Sequence, residues 1–357
     1  MPEPRRNTSP DAAFRFSIAN RPIGPSEPPY VVAELSANHR GELARALRII
    51  DAAADCGADA VKFQAYTPDT LTIDCQSPAF RLMGTIWEGR TLYDLYREAH
   101  TPWEWMGELK RAAESRGLAW FASAFDPTSV ELLEALAAPA YKIASFELVD
   151  IPLLERVAAT GKPVIVSTGM ATLEEIDEAV RAIGPRRLSL LHCVSSYPAR
   201  PEDMHLRAIP LLAERFGVPV GLSDHTLGPA TAVAAVALGA CIVEKHLTLG
   251  RQEGGPDAAF SLEPDEFRHM TRCVRSAWHA LGDARIAPAP SESAGRRLRR
   301  SLFVVADIRA GEPFTPQNVR SIRPGDGLHP RYYAYVLGRP ARDDIARGTP
   351  LSWQHVG

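Results

Sequence analysis

Eight short apolar runs, each closing in polar or charged residues, constrain this chain more than any other feature. They begin near residues 30, 60, 118, 140, 164, 188, 218 and 242. Gly57, Gly117, Gly161, Gly217 and Gly239 stand just ahead of five of them, where a residue without a Cβ takes the left-handed conformation that ends a helix. Residues 42–56, between the first two runs, carry Ala44, Leu47, Ile49, Ile50 and Ala53 at helical spacing. Strands alternating with helices in this way predict a parallel sheet covered by helices, and eight over roughly 250 residues favour a closed (β/α)8 TIM barrel over an open sheet. No glycine-rich dinucleotide fingerprint follows the first strand, which argues against a Rossmann fold.

The punctuation also sets the domains. Residues 1–20 open with Pro, Arg and Ser and are expected to be disordered. The barrel is assigned 21–284, a Pro-, Ala- and Ser-rich stretch makes a linker at 285–296, and 297–357 forms a small β-rich module. At about 60 residues that module would be marginal alone, so it is expected to dock on another surface. Some 35 residues separate Tyr66 from Thr101, and an insertion of that length after a barrel strand is expected to cover the active site or line its pocket.

A net charge of −3 gives no basic patch for nucleic acid and no polybasic run for a membrane surface. No apolar segment reaches membrane-spanning length, and the first residues lack the apolar core of a signal peptide. Five cysteines, at 56, 75, 193, 241 and 273, show no paired framework and read as reduced thiols of a cytoplasmic protein.

In a barrel of parallel strands the catalytic groups leave the carboxyl ends. Those ends carry Glu34; Lys62 and Gln64; Ser123 with Asp126 nearby; Lys142, Ser145 and Glu147; Ser167 and Thr168; Ser195, Ser196 and Tyr197; Ser223 and His225; and Lys245 and His246. Lysines among hydroxyls suit a small, multiply charged anion, since ammonium groups supply charge and hydroxyls supply oriented donors. A solvated strand-end charge and a Schiff-base nucleophile are the competing readings of such a lysine. His225 and His246, 21 residues apart at matched positions, are candidates to share one divalent ion, against the alternative of two structural histidines. Glu34 is a proton shuttle, a sugar-hydroxyl ligand or a salt-bridge partner of Lys62. Asp257, in the turn 254–257, is a third oxygen ligand, a water-positioning group or part of a plain loop.

With these residues assembled, the chain resembles the sialic acid synthase family, barrel enzymes that condense phosphoenolpyruvate with an amino-sugar aldehyde. The motifs are AELSANHRG, GADAVKFQ, FASAFD, YKIASFE, VIVSTGMATLEEI, GLSDHTLG and IVEKHLTLGRQEGGPDAAFSLEPDEF. The final module is similar to the antifreeze-like (SAF) domain that follows the barrel in this family. ELSANH, with GTIWEGRTLYDLYREAHTPWEW in the long insertion, looks most like the branch that forms pseudaminic acid from 2,4-diacetamido-2,4,6-trideoxy-L-altrose.

The resemblance implies a divalent metal, Mn2+ or else Mg2+ or Co2+, held by His225 and His246, and no organic cofactor. It implies catalytic roles for Glu34, Lys62 and Lys142, a phosphoenolpyruvate site that adds Ser123, Ser145, Ser167, Ser195 and Ser223, and Gln64, Tyr197 and Asp257 beside it. It further implies a domain-swapped homodimer in which Arg323 reaches the barrel of a partner subunit. This sequence departs from the family pattern at Arg40, where Asn is usual, at Ser123, where Thr is frequent, at Ala124, where Pro is common, and at Ser195, which is Asn in some members. N-acetylneuraminate or legionaminate synthesis is the alternative within the same chemistry, and a non-catalytic sugar-phosphate binding barrel the alternative outside it.

Overall fold

The structure, a computed structural model, describes residues 16–357. Two short strands come first, β1 (Phe16–Ile18) and β2 (Arg21–Ile23), paired antiparallel. The barrel strands are β3 (Tyr30–Glu34), β4 (Ala60–Ala65), β5 (Ala119–Ala124), β6 (Tyr141–Ile143), β7 (Val164–Ser167), β8 (Leu188–Cys193), β9 (Val220–Asp224) and β10 (Ile242–His246). They close in the order β10-β3-β4-β5-β6-β7-β8-β9, with every neighbour parallel. All eight apolar runs are barrel strands. Every residue of β3 and of β7 is buried, because one face of such a strand meets the barrel interior and the other a helix.

The helices form for local reasons. Leu43–Asp55 buries Ala46, Ile49, Ile50 and Ala53 along one face and stops at Gly57, whose φ is +80°. Fully burying Ile49 and Ile50 contributes about 1.5–3 kcal/mol each. Leu173–Ile183 starts on Thr172, which accepts from the Glu175 backbone N–H while the Glu175 carboxylate accepts from the Thr172 N–H at 2.7 Å. This reciprocal cap, worth about 1 kcal/mol, anchors the loop that leaves β7. Asp126 has a similar duty: its Oδ1 accepts from the Thr128 and Ser129 N–H groups and starts the helix Pro127–Ala135.

The interior has two storeys. Tyr30, Val32, Ala60, Phe121, Ala140, Ile165, Leu191 and Ile242 make an apolar floor, sealed below by Phe16, Ile18 and Ile23 of the β1–β2 hairpin. The expected disorder over 1–20 is therefore corrected for 16–20, since Phe16 and Ile18 bury their side chains against the barrel floor; 1–15 lie outside the described residues. A two-residue turn at Ala19 and Asn20, both at positive φ, joins the strands.

The chain divides after Gly282. The assigned linker at 285–296 contains two short helical turns, Pro290–Glu292 and Ser293–Arg296. The second unit has one antiparallel pair, β11 (Ser301–Val304) and β12 (Val319–Ile322), tied to isolated bridges such as Ile308–Ile345 and Ala341–Val356. It has its own small core of Leu302, Val304, Ile308, Phe314, Val319, Val336, Ile345 and Leu351 among others. No helix among the described residues is long and apolar enough to cross a membrane.

Candidate active site

Above the apolar floor the barrel turns polar. Alternation along β10 sends Ile242, Glu244 and His246 inward, and along β4 it sends Ala60, Lys62 and Gln64 inward, so charge replaces hydrocarbon one step up each strand. Lys62 Nζ lies 2.7 Å from Glu34 Oε2, 3.2 Å from Glu244 Oε1 and 3.2 Å from Ser123 Oγ. Lys142 Nζ donates to Ser167 Oγ at 2.7 Å and to its neighbour's carbonyl, Ile143 O, at 3.1 Å, and lies 3.8 Å from the same Glu244 oxygen. Ser223 Oγ donates to that oxygen at 3.3 Å. Glu34, Lys62, Lys142 and Glu244 are at most 4 % exposed, so two ammonium groups and two carboxylates form a closed, charge-balanced layer.

The electrostatics follow from that packing. Burial works against the Lys62 ammonium, but Glu244 and Glu34 outweigh it and raise its pKa. Lys142, farther from a carboxylate, is lowered by burial and by Lys62, with Glu244 opposing. Burial lifts Glu34 to about 6 against the pull of Lys62, while Lys142 and Lys62 overcome burial to hold Glu244 ionised. Gln64 Nε2 donates to Glu34 Oε1 at 3.2 Å and orients it.

The two imidazoles converge. The His225 and His246 ring centroids are 5.3 Å apart, and both rings pack against Phe260, at 6.0 and 4.9 Å. His225 Nδ1–H donates to Val194 O at 3.0 Å, which leaves its Nε2 free, and His246 Nδ1 is buried without a hydrogen-bond partner. Such a donor pair fits a divalent ion that completes its shell with substrate or water oxygens. Among the described residues no group of three His, Cys, Asp or Glu side chains converges on one point, so Asp257 does not join the pair in a triad. Its Oδ2 instead accepts from Ser36 Oγ and, at 3.2 Å, from the Ala37 N–H, clasping the loop after β3 to the loop after β10.

Ser145 and Ser195 meet over Gly169, whose N–H donates to Ser145 Oγ at 3.0 Å. A Cβ there would overlap Ser195 Oγ and lie 2.7 Å from Ser145 Oγ, so only glycine lets both hydroxyls approach. Cys193 Sγ is 4.0 Å from Ser195 Oγ and from His225 Nδ1 and packs within the site. Tyr197 lies 4.5 Å from the His225 ring and 5.0 Å from Phe260.

Lys245 does not belong to this group. It points out of the barrel, where it pairs with Asp224 at 2.7 Å and bonds Thr226 O, both charges fully buried. Three polar residues in a row, Glu244-Lys245-His246, cannot all face inward, and His246 selects Glu244 as its companion. Glu244 is thus the residue that sequence reasoning missed; period-two alternation counted back from His246 is the signal that finds it. Glu147 is a second. One of its carboxylate oxygens is buried without a partner, and burial, opposed by Lys142, lifts its pKa to about 7. Arg323 lies in the second unit, in the turn after β12.

A closed eight-stranded parallel barrel with a charged chamber at the carboxyl ends of its strands defines a (β/α)8 enzyme. The chain belongs to the NeuB family: residues 49–286 match that family and residues 299–357 match the SAF domain. It is 43 % identical over 331 residues to the pseudaminic acid synthase of Helicobacter pylori, covering 91 % of this chain and 97 % of that one. It is 34 % identical over 344 residues to the N,N'-diacetyllegionaminic acid synthase of Legionella pneumophila, covering 94 % and 97 %. Among solved structures it is similar to the N-acetylneuraminic acid synthetase of Leptospira borgpetersenii, with a TM-score of 0.71 and 33 % identity over 79 % of this chain and 95 % of that one.

Proposed function

We propose that this enzyme is a transferase that condenses phosphoenolpyruvate with 2,4-diacetamido-2,4,6-trideoxy-L-altrose to a nine-carbon 2-keto acid, releasing phosphate. The observation that carries the reading is the buried pair Lys62 and Lys142, ringed by serine hydroxyls, directly beneath two converging imidazoles. The 43 % identity to a pseudaminic acid synthase over most of both chains favours the diacetamido sugar.

In this reading Lys62 and Lys142, with Ser123, Ser145, Ser167, Ser195 and Ser223, bind the phosphate and carboxylate of phosphoenolpyruvate. Their donors are fixed before the substrate arrives, so they stabilise the developing phosphate charge without reorganising. Carbon three of phosphoenolpyruvate forms the new bond to the aldehyde carbon. Water adds at carbon two, and the resulting tetrahedral carbon expels phosphate by C–O cleavage and becomes the keto group. Glu34, lifted to about 6 and oriented by Gln64, is tuned to take up and return a proton near neutral pH. Tyr197 and Asp257 line the sugar. His225 and His246 hold the divalent ion, manganese or else magnesium or cobalt, and that ion when bound supplies Lewis acidity to the sugar carbonyl. The proposal includes a homodimer that brings Arg323 of the terminal module to a partner subunit's barrel, and a cytoplasmic location, which the five free cysteines support.

The test is phosphate release, with mass spectrometry of the product, over a panel of diacetamido and acetamido hexoses. The expected product is the nine-carbon acid from the diacetamido sugar, and His246→Ala is expected to lose both bound metal and nearly all turnover. Undiminished turnover by metal-stripped His246→Ala protein would refute the assignment of the imidazoles, and turnover with none of the sugars would leave only a sugar-phosphate binding barrel.

A further inference from the structure

The insertion after β4 forms something more particular than a cover. Trp87 donates its indole N–H to Pro256 O at 2.9 Å, joining the insertion to the loop that follows β10. Its ring centroid lies 5.6 Å from that of Tyr197, which in turn packs at a tilt against His225. On the insertion side of this aromatic line opens a cleft of about 390 Å3, walled by Ile86, Trp87 and Pro256 and edged by Glu88, Arg90 and Glu98. Arg90 is already engaged: its guanidinium pairs with Glu98 at 2.7 Å and donates to Asp94 O at 2.9 Å. Two carboxylates therefore stand against one spent cation.

Such a cleft discriminates by chemistry. An indole face beside isoleucine and proline accepts methyl groups; Glu98 Oε2 is held by Arg90 and Glu88 Oε2 accepts the Gly84 N–H at 3.2 Å, and the second oxygen of each carboxylate is left to accept an N–H donor, which together describe an acetamido substituent. The surplus negative charge repels a phosphate. We infer that this cleft is the subsite for the end of the sugar remote from its aldehyde, that it takes a neutral acylamino, deoxy chain and rejects a phosphorylated one, and that Trp87 is its specificity-determining residue. This inference rests on the functional reading given above and names the part of the substrate that the insertion selects.

The experiment compares wild-type enzyme with Trp87→Ala, Trp87→Phe and Glu98→Gln, measuring phosphate release with the diacetamido trideoxy hexose and with N-acetylmannosamine. Removing a packed apolar wall changes discrimination by about 10-fold or more. Trp87→Ala is therefore expected to lower the ratio of kcat/KM for the diacetamido sugar over N-acetylmannosamine by about that factor, through the sugar KM, with the phosphoenolpyruvate KM unchanged. Trp87→Phe, which restores an aromatic face, is expected to recover most of the ratio. In Glu98→Gln, which frees Arg90, inhibition by a 6-phosphorylated N-acetylhexosamine is expected to tighten about 10-fold. Equal losses with both sugars in Trp87→Ala, a raised phosphoenolpyruvate KM, or unchanged inhibition in Glu98→Gln overturns the subsite. Wild-type enzyme that releases phosphate with neither sugar overturns the functional reading itself, and the subsite with it.

Discussion

Replacing Glu244 by Gln tests the charge-balanced layer most directly. One oxygen of this side chain serves Lys62 at 3.2 Å, Lys142 at 3.8 Å and Ser223 at 3.3 Å. Breaking a buried ion pair from one side costs about 3–5 kcal/mol, because the remaining charge stays buried without its partner. Lys62 would keep Glu34 at 2.7 Å. The loss falls on Lys142, whose remaining partners are the neutral oxygens Ser167 Oγ and Ile143 O. The lower end of the range, about 3 kcal/mol, is therefore expected. For a unit of this size each kcal/mol moves the midpoint by about 2–4 °C, which gives a fall of about 6–12 °C in the Tm of the barrel.

The same substitution has an opposite effect on the anion. On the proposed assignment of Lys62 and Lys142, phosphoenolpyruvate shares the two ammonium groups with Glu244 in the wild type, and in Glu244→Gln it has them with less competition. Ligand at about 100 times its Kd stabilises a folded protein by about 2.7 kcal/mol. With a lower Kd, the same phosphoenolpyruvate concentration is expected to raise the Tm of the variant by more than it raises that of the wild type. Thermal denaturation with and without phosphoenolpyruvate, checked by calorimetric titration, reads both quantities. A variant as stable as wild type to within 1 kcal/mol, or one that phosphoenolpyruvate stabilises less than wild type, would refute the balance argued for this layer.

Two further outcomes follow from separate parts of the structure. Gly169→Ala places a methyl where Ser195 Oγ and Ser145 Oγ meet, so both hydroxyls must turn away; the phosphoenolpyruvate KM is expected to rise about 10-fold, the cost of roughly one hydrogen bond to a charged group, with the sugar KM little changed, and steady-state kinetics checks it. His39 is fully buried, accepts the Gly41 N–H on Nδ1 at 3.0 Å and pairs through Nε2 with Thr101 Oγ1 at 3.2 Å; burial, with His100, lowers its pKa from 6.5 to about 4. The folded state then binds fewer protons than the unfolded state between those values, so the His39 contribution is fully present above about pH 6.5 and is lost as pH falls toward 4, by roughly 3 kcal/mol in all. Urea midpoints from pH 4 to 7 are expected to fall with acid in the wild type and to flatten in His39→Gln, and an identical slope in both would count against that assignment.

Most of the barrel was legible because its signals are local. A glycine at positive φ closing the preceding helix, as at Gly57, Gly117 and Gly239, and a short apolar run after it mark a strand without reference to anything distant. The inward residues of β4 and β6 were legible too, since Lys62 and Lys142 interrupt apolar runs. The β1–β2 hairpin was not: strands of three residues are too short for periodicity, and Phe16, Ile18 and Ile23 show their purpose only against the barrel floor. Lys245 was misplaced because adjacent strand residues face opposite ways and the phase is fixed only when one of them is known to point inward. Contacts such as Asp257 with Ser36, 221 residues apart, and Trp87 with Pro256, 169 apart, leave no mark in the sequence.

On the proposed reading, the carboxylates explain how a site for an anion can hold two buried ammonium groups. Two lysines buried this deeply in a bare apolar barrel would shed their protons, since desolvation alone moves buried ammonium groups down by several units. Lys142, the more weakly paired, already leans that way, and Lys62, held between Glu34 and Glu244, does not. Pairing each ammonium with a carboxylate keeps the chamber charged and folded while empty, and the bound anion then takes over part of the role of Glu244. Glu34, in the same layer and already lifted to about 6, loses some of Lys62 to the same exchange, and its affinity for a proton rises as the substrate arrives. The layer that stabilises the resting barrel is, on this argument, also what prepares its proton carrier.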